Sequence, residues 1–217
     1  MLKLIVFDVD GTLVDTDEVI LATWKELIRR HKPKDYFLDD SIIKTFSGPP
    51  LNESLKRVFP ELDQEFIEKE YNNVTPKFYK ENIKTFPNVR EVLIKLKNEG
   101  YKLAILTSKD SNMTKYTLEL AKIDINLFDE IVTSSDVKKL KPNPDGLIKI
   151  FNSLNVTNDE AINVGDTEFD YYCGINANVK TIMMTMKERH FESKIFPLAF
   201  CSNYNDLYKE IKKYEHK

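Results

Sequence analysis

The sequence has few cysteines, no long apolar run and no marked excess of charge of one sign. Cys173 and Cys201 do not form a metal-type pair, so we expect two reduced thiols. No apolar stretch approaches the roughly 20 residues of a membrane span, and the N-terminal one is interrupted at Asp8, too early for a signal peptide. A formal net charge of −3 gives no electrostatic footprint for nucleic acid. These absences predict a cytoplasmic protein that binds neither a membrane nor nucleic acid.

The composition is that of an ordinary soluble globular protein. The 217 residues are 41% hydrophobic and 31% charged, which suits one or two domains with a substantial core. The lysine-rich segment 209–217 also contains Glu210 and Glu215, so we interpret it as a solvated helix face.

Two regions of the chain differ in their hydrophobic periodicity. Residues 15–84, called the helical block below, show helical spacing and predict about four helices. Beyond Pro87, predicted strands at 102–106, 130–133, 161–164 and 179–184 alternate with predicted helices. This alternation predicts an α/β fold with a Rossmann-like parallel sheet covered by helices. We therefore expect an α/β core from residues 1–14 and 85–217, with the helical block inserted after the first strand.

The chain opens with a predicted buried strand that leads into Asp8-Val9-Asp10-Gly11-Thr12. Residues i and i+2 of a strand point to the same side, so Asp8 and Asp10 should share one face. Two carboxylates this close repel unless a cation lies between them. A simple turn is the alternative interpretation, because Asp and Gly are common turn residues.

Polar residues also follow three of the later predicted strands. Thr107 and Ser108 could hold phosphate oxygens or cap the next helix. Lys141 precedes a proline and suits phosphate, although most lysines are simply solvated. Asp166 and Asp170 could bind Mg²⁺ or stabilise a helix start. In such sheets, ligands bind at the carboxyl ends of the strands. All of these polar residues follow predicted strands, and this common position favours one shared site over four unrelated turns.

In this order, the motifs resemble those of the haloacid dehalogenase-like superfamily, and specifically its phosphatases with an inserted helical C1 cap. Asp8-Val9-Asp10-Gly11-Thr12 resembles the first motif, Thr107 the second, Lys141 the third and Gly165-Asp166-Thr167 with Asp170 the fourth. The resemblance covers nearly the whole chain and places the family's cap at the helical block.

The resemblance implies a role for each motif. Asp8 would attack phosphorus and form an aspartyl-phosphate, and Asp10 would act as general acid and then general base. Mg²⁺ would be held by Asp8, Asp166 and the main-chain carbonyl of Asp10, with Asp170 nearby. The phosphoryl oxygens would be bound by Gly11, Thr107, Ser108 and Lys141. The implied partner is a small phosphorylated metabolite, and the protein could be a monomer or a homodimer.

The subfamily and two other functions stay open at this stage. Asp15-Thr16, residues 46–51 and Thr107-Ser108-Lys109 look most like phosphoglycolate phosphatases and related pyrophosphatases. Leu51 stands where sugar-phosphate mutases usually carry an arginine, although Lys44 or Arg57 could replace it. A phosphoacceptor signalling domain is the non-enzymatic alternative, which the long helical block disfavours. A catalytically inactive binding protein is disfavoured because all the expected reacting groups are present.

Overall fold

The computed structural model of the protein describes residues 1–189, 191 and 194–215. Six strands form a sheet in which every neighbouring pair is parallel. With two short outlying strands, β2 and β3, included in the numbering, the strands are β1 Leu4–Phe7, β2 Val14–Asp15, β3 Lys84–Thr85, β4 Lys102–Leu106, β5 Glu130–Val132, β6 Ala161–Gly165, β7 Lys180–Met184 and β8 Ala199–Cys201. The helices are α1 Asp17–His31, α2 Asp40–Lys44, α3 Leu51–Val58, α4 Gln64–Asn82, α5 Val89–Asn98, α6 Ser111–Leu120, α7 Asp145–Leu154, α8 Glu168–Asn176 and α9 Tyr204–Glu215.

The strand order β5-β4-β1-β6-β7-β8 confirms the predicted Rossmann-like α/β fold. All four residues of β1 are buried: Ile5 and Phe7 pack into the apolar cluster on one face, and Leu4 and Val6 into the cluster on the other. From β1 the chain adds β4 and then β5 on one side, and it then crosses back to place β6 on the other side of β1. In such sheets the crevice at this reversal of strand order is the usual ligand site.

The helices α1 to α4 have an apolar cluster of their own. It is built around the buried Trp24, whose ring lies 4.5 Å from that of Phe46 and 6.2 Å from that of Phe59. The two crossings between the helical block and the sheet lie side by side, because β2 pairs with β3 in antiparallel register.

Three local features go beyond or sharpen the expectations. The short β8 extends the sheet beyond β7, where no strand was predicted. Helix α9 buries Leu207 and Ile211 against the sheet cluster, so only part of its surface is the solvated face expected for 209–217; residues 216 and 217 lie outside the described residues. No described helix is long and apolar enough to cross a membrane.

Candidate active site

Three carboxylates meet at the carboxyl ends of β1 and β6, the two strands at the reversal of strand order. Asp8 follows β1 directly, Asp166 follows β6, and these strands pair in parallel register. Asp170 lies in the first turn of α8, where its carboxylate accepts hydrogen bonds from the backbone N–H and hydroxyl of Thr167. One oxygen from each of Asp8, Asp166 and Asp170 lies within 4.8 Å of the others, and all three residues are buried. The residues thus bring together three hard oxygen donors of the kind that Mg²⁺ prefers.

Lys141 joins two of these carboxylates. Its Nζ donates to Asp8 Oδ1 at 2.6 Å, to Asp170 Oδ1 at 2.6 Å and to the carbonyl oxygen of Leu106 at 3.3 Å. Burial works against its charge, but Asp170 and Asp8 outweigh burial and raise the pKa of Lys141. Burial also raises the pKa of Asp8, and Lys141 opposes that rise. The lysine is therefore a buried cation of the site, and not the solvated side chain that most lysines are.

Asp10 points to a different neighbour. Its Oδ2 lies 3.0 Å from Lys109 Nζ, and its Oδ1 is buried with no hydrogen-bond partner among the described residues. Lys109 Nζ also donates to the hydroxyl of Tyr79, on α4. Burial disfavours the charge of Lys109, but Asp10 and Tyr79 outweigh burial and raise its pKa. Asp8 and Asp10 thus occupy different electrostatic surroundings, as two different roles would require.

Arg189 contacts the third carboxylate. Its Nε donates to Asp166 Oδ2 at 2.6 Å, and its two terminal nitrogens donate to Asp17, at the start of α1, at 3.2 and 2.9 Å. Burial raises the pKa of Asp166 to about 6, against the opposing effect of Arg189. Gly11, with φ of +76°, lies so close that a Cβ there would stand 2.0 Å from Asp166 Oδ2. The turn after β1 therefore has no space for a side chain at this position.

Thr107 and Ser108 follow β4, next to β1 in the sheet. The backbone N–H of Thr107 donates to the carbonyl oxygen of Val132. The hydroxyl oxygen of Thr107 accepts a hydrogen bond from the backbone N–H of Lys109. Ser108 Oγ is buried and has no partner in the described part of the chain. Neither residue caps the following helix, because Asp110 accepts the hydrogen bonds at the start of α6. The helix-cap interpretation of Thr107 and Ser108 is therefore wrong.

A cavity of 700 Å³ joins these groups to the helical block. Its lining includes Asp8, Asp10, Thr107, Ser108 and Lys141 on the sheet side and residues 47–52, Tyr71, Thr75 and Tyr79 on the helical side. Lys44 and Arg57 line a neighbouring cavity of 1390 Å³ and are not among the lining residues of this one. Their position gives no support to either residue as a replacement for the arginine of the mutases.

The sequence did not predict two residues that the fold brings to the site, Arg189 and Tyr79. Arg189 carries no motif, and Tyr79 lies in an ordinary helical pattern. Lys109 had a signal, because it directly follows Thr107 and Ser108 at the end of β4. Thr12, part of the first motif, also contacts Asp166, to which its hydroxyl donates at 3.5 Å.

Comparison with known proteins gives consistent matches over most of the chain. Residues 5–184 match the family model described as haloacid dehalogenase-like hydrolase. The chain is 31% identical over 205 residues to pyrophosphatase PpaX of Bacillus cereus, covering 94% of this chain and 93% of that protein.

Solved structures give the same fold. A haloacid dehalogenase-like hydrolase from Bacteroides fragilis superposes with a TM-score of 0.86 at 24% identity, covering 95% of this chain and 100% of that one. A predicted phosphoglycolate phosphatase from Haemophilus somnus gives 0.81 at 24% identity, covering 96% and 97%.

Proposed function

This chain belongs to the haloacid dehalogenase-like hydrolase family, and we propose that it is a Mg²⁺-dependent phosphatase of a small phosphorylated metabolite. One observation carries the proposal: the buried carboxylates Asp8, Asp166 and Asp170 and the buried cation Lys141 meet at the switch point of the sheet, beside a cavity that also reaches Asp10. Phosphoryl transfer depends chiefly on positioning and on neutralisation of charge, which such a cluster supplies.

In the proposed reaction, a carboxylate oxygen of Asp8 attacks phosphorus and the bond to the leaving oxygen breaks. Asp10, in its protonated form, gives its proton to that oxygen. Asp10 then takes a proton from water, which attacks phosphorus and releases phosphate from Asp8. Together the two steps return Asp8 to its free carboxylate and Asp10 to its protonated form. Lys141 keeps Asp8 in place and is suited to bind the phosphoryl oxygens, together with Thr107, Ser108 and the backbone at Gly11.

The donor set fits the proposed metal. Asp8, Asp166 and Asp170 offer oxygens within 4.8 Å of one another, and the Asp10 main-chain carbonyl follows Asp8 in the same turn. Mg²⁺ would supply positive charge that offsets the repulsion between these carboxylates and the phosphoryl group.

We propose that residues 15–84 form the cap and residues 1–14 and 85–217 the catalytic core. The separate apolar cluster around Trp24 and the adjacent crossings β2 and β3 support this division. The helical block contacts the sheet side directly, since a Cβ on Gly48 would lie 2.8 Å from Thr167 Cγ2. Such a cap would exclude bulk water during the first step, and its residues 47–52 would contribute to specificity.

Two substrates follow from the relatives: phosphoglycolate and inorganic pyrophosphate. The sequence similarity to PpaX of Bacillus cereus favours testing pyrophosphate beside phosphoglycolate. A sugar-phosphate mutase would need a second phosphate site in the cap. Leu51 and the position of Lys44 and Arg57 outside the cavity argue against it.

A panel of phosphate-release assays with and without Mg²⁺ tests this function. The panel compares phosphoglycolate, pyrophosphate, sugar phosphates and nucleotides. Turnover should require Mg²⁺ and should be abolished in Asp8→Asn, whereas Asp159→Asn, an exposed carboxylate far along the chain, should behave as wild type. Unchanged turnover in Asp8→Asn would rule out the proposed nucleophile, and a phosphoryl group that stays on the folded protein for hours would favour a signalling role.

A further inference from the structure

Lys109 is a second cation at the cavity, largely but not fully buried, and the proposed reaction gives it no role. Its side chain is 12% exposed. Two hydrogen bonds fix its backbone: the Lys109 N–H donates to Thr107 Oγ1, and the Lys109 carbonyl oxygen accepts from the backbone N–H of Ser134. Its Nζ lies over the ring of Tyr79, 4.8 Å from the centroid, and donates to the Tyr79 hydroxyl. A flexible lysine is thereby held in one place by a residue of the helical block.

The ammonium group has a donor left for a ligand. A lysine has three N–H donors. Among the described residues, Tyr79 and Asp10 are the recorded partners of Lys109 Nζ. Lys141, the other lysine of the cavity lining, contacts Asp8, Asp170 and Leu106. Of the two lysines that line the cavity, Lys109 is therefore the one with a charged N–H donor available to a further anion.

The position of Lys109 relates it to the leaving side of the substrate. A general acid must lie within hydrogen-bond reach of the leaving oxygen. Lys109 Nζ is 3.0 Å from the carboxylate of Asp10, the proposed general acid. Groups attached to the leaving oxygen of the substrate would therefore lie next to the ammonium group of Lys109. In pyrophosphate the oxygens of the second phosphoryl group are two bonds from the bridging oxygen, and in phosphoglycolate the carboxylate oxygens are three bonds from the leaving oxygen.

Among the lining residues that the structure describes, the opposite wall offers no cation for an anionic group. Among the described lining residues, the helical block contributes no lysine or arginine, and its charged lining residue is Glu68. A phosphate held far from the scissile bond would face that carboxylate without a compensating cation.

We infer that Lys109, held by Tyr79, binds an anionic group next to the leaving oxygen, so the substrates are compact phosphoanhydrides or phosphoesters with an anionic leaving group. The inference rests on the proposed function of the same cavity. It places pyrophosphate and phosphoglycolate ahead of esters with a neutral polyol and of sugar bisphosphates. Specificity of this kind comes from a charge that the neutral competitor leaves unpaired.

Calorimetric binding to wild type, Lys109→Met, Lys109→Arg and Tyr79→Phe tests the inference. The probes, in Mg²⁺, are methylenediphosphonate, which carries the second anion, and methylphosphonate, which does not. We expect Lys109→Met to weaken methylenediphosphonate binding about 30-fold and methylphosphonate binding less than about threefold, as for loss of one hydrogen bond to a charged group. Lys109→Arg should recover part of the difference, and Tyr79→Phe should give a smaller loss with the same selectivity.

Lys115→Met is the matched control, because Lys115 is an exposed lysine on α6 and should leave both affinities unchanged. If Lys109→Met loses affinity equally for both probes, Lys109 acts on Asp10 or on the transferred phosphoryl group, and the inference is overturned. The inference is also overturned if Lys109→Met loses affinity for neither probe. The hydrolysis of pyrophosphate and of glycerol 2-phosphate, measured in parallel, separates the two proposals. If wild type hydrolyses neither compound but the binding difference persists, the proposed function fails and the anion site stands.

Discussion

Replacement of Lys141 by methionine removes the buried charge that joins Asp8 to Asp170. The side chains of Lys141, Asp8 and Asp170 are only 6%, 9% and 2% exposed, so water cannot take over the lost contacts at 2.6 Å. Removal of one partner from a buried ion pair costs about 3–5 kcal/mol. Because one carboxyl can take up a proton, we expect the lower end, about 3 kcal/mol of the free energy of unfolding at pH 8 without metal.

Urea titrations in EDTA measure this loss. For a chain of this length, about 3 kcal/mol corresponds to a fall in Tm of roughly 6–12 °C. The difference from wild type should be smaller at pH 5 than at pH 8, because burial raises the pKa of Asp8 and Lys141 no longer opposes the rise.

Lys149→Met is the control for loss of a lysine as such. Lys149 pairs with Asp136 at 3.6 Å, with side chains 45% and 36% exposed, and should contribute about 0.5 kcal/mol or less. If Lys141→Met is no less stable than Lys149→Met, the three groups are not an ionised buried cluster and the reasoning is wrong.

Three further predictions concern the contact of the helical block with Thr167, a thiol and a carboxyl group. Gly48→Ala should lower kcat/KM more than Gly100→Ala, since both glycines have positive φ (+116° and +91°) but only Gly48 abuts Thr167; equal effects in phosphate-release assays would contradict this. Burial raises the pKa of the Cys173 thiol to about 12, so Ellman's reagent should react with it only after unfolding, and fast reaction with the native protein would refute its burial. Burial raises the pKa of Asp166 from 3.8 to about 6, so without metal the folded state retains a proton that the unfolded chain releases. The unfolding free energy of wild type relative to Asp166→Asn should therefore fall by about 2 kcal/mol between pH 4 and 6, and a rise would contradict the shift.

The sequence was sufficient for the sheet because its strands are strongly apolar and end in turns. The segment KLAIL was predicted as a strand at 102–106 and forms β4 over the same residues. The two-residue pair β2 and β3 was missed, because strands so short have no measurable period and depend on distant partners. The three-residue β8 was missed as well, beyond the last strand of the predicted alternation.

The candidate site also has residues that the sequence predicts and residues that it does not. Asp8 and Asp166 could be placed together because parallel strands bring their carboxyl ends to one edge. The contact of Lys109 with Tyr79 depends on how the helical block packs against the sheet. The contact of Arg189 with Asp166 depends on how the loop after β7 packs. No local sequence pattern encodes either arrangement. The roles assigned to Asp8 and Asp10 are still predictions, and they need a chemical test.

That test is detection of a phosphoryl group on Asp8 by acid quench during turnover, followed by peptide mapping. Wild type in Mg²⁺ should yield a phosphorylated peptide that contains Asp8. Asp10→Asn should retain the group longer, because the water that hydrolyses it lacks its base. Phosphate release with no phosphorylated Asp8 in either protein, or a label that persists in Asp8→Asn, would contradict the account.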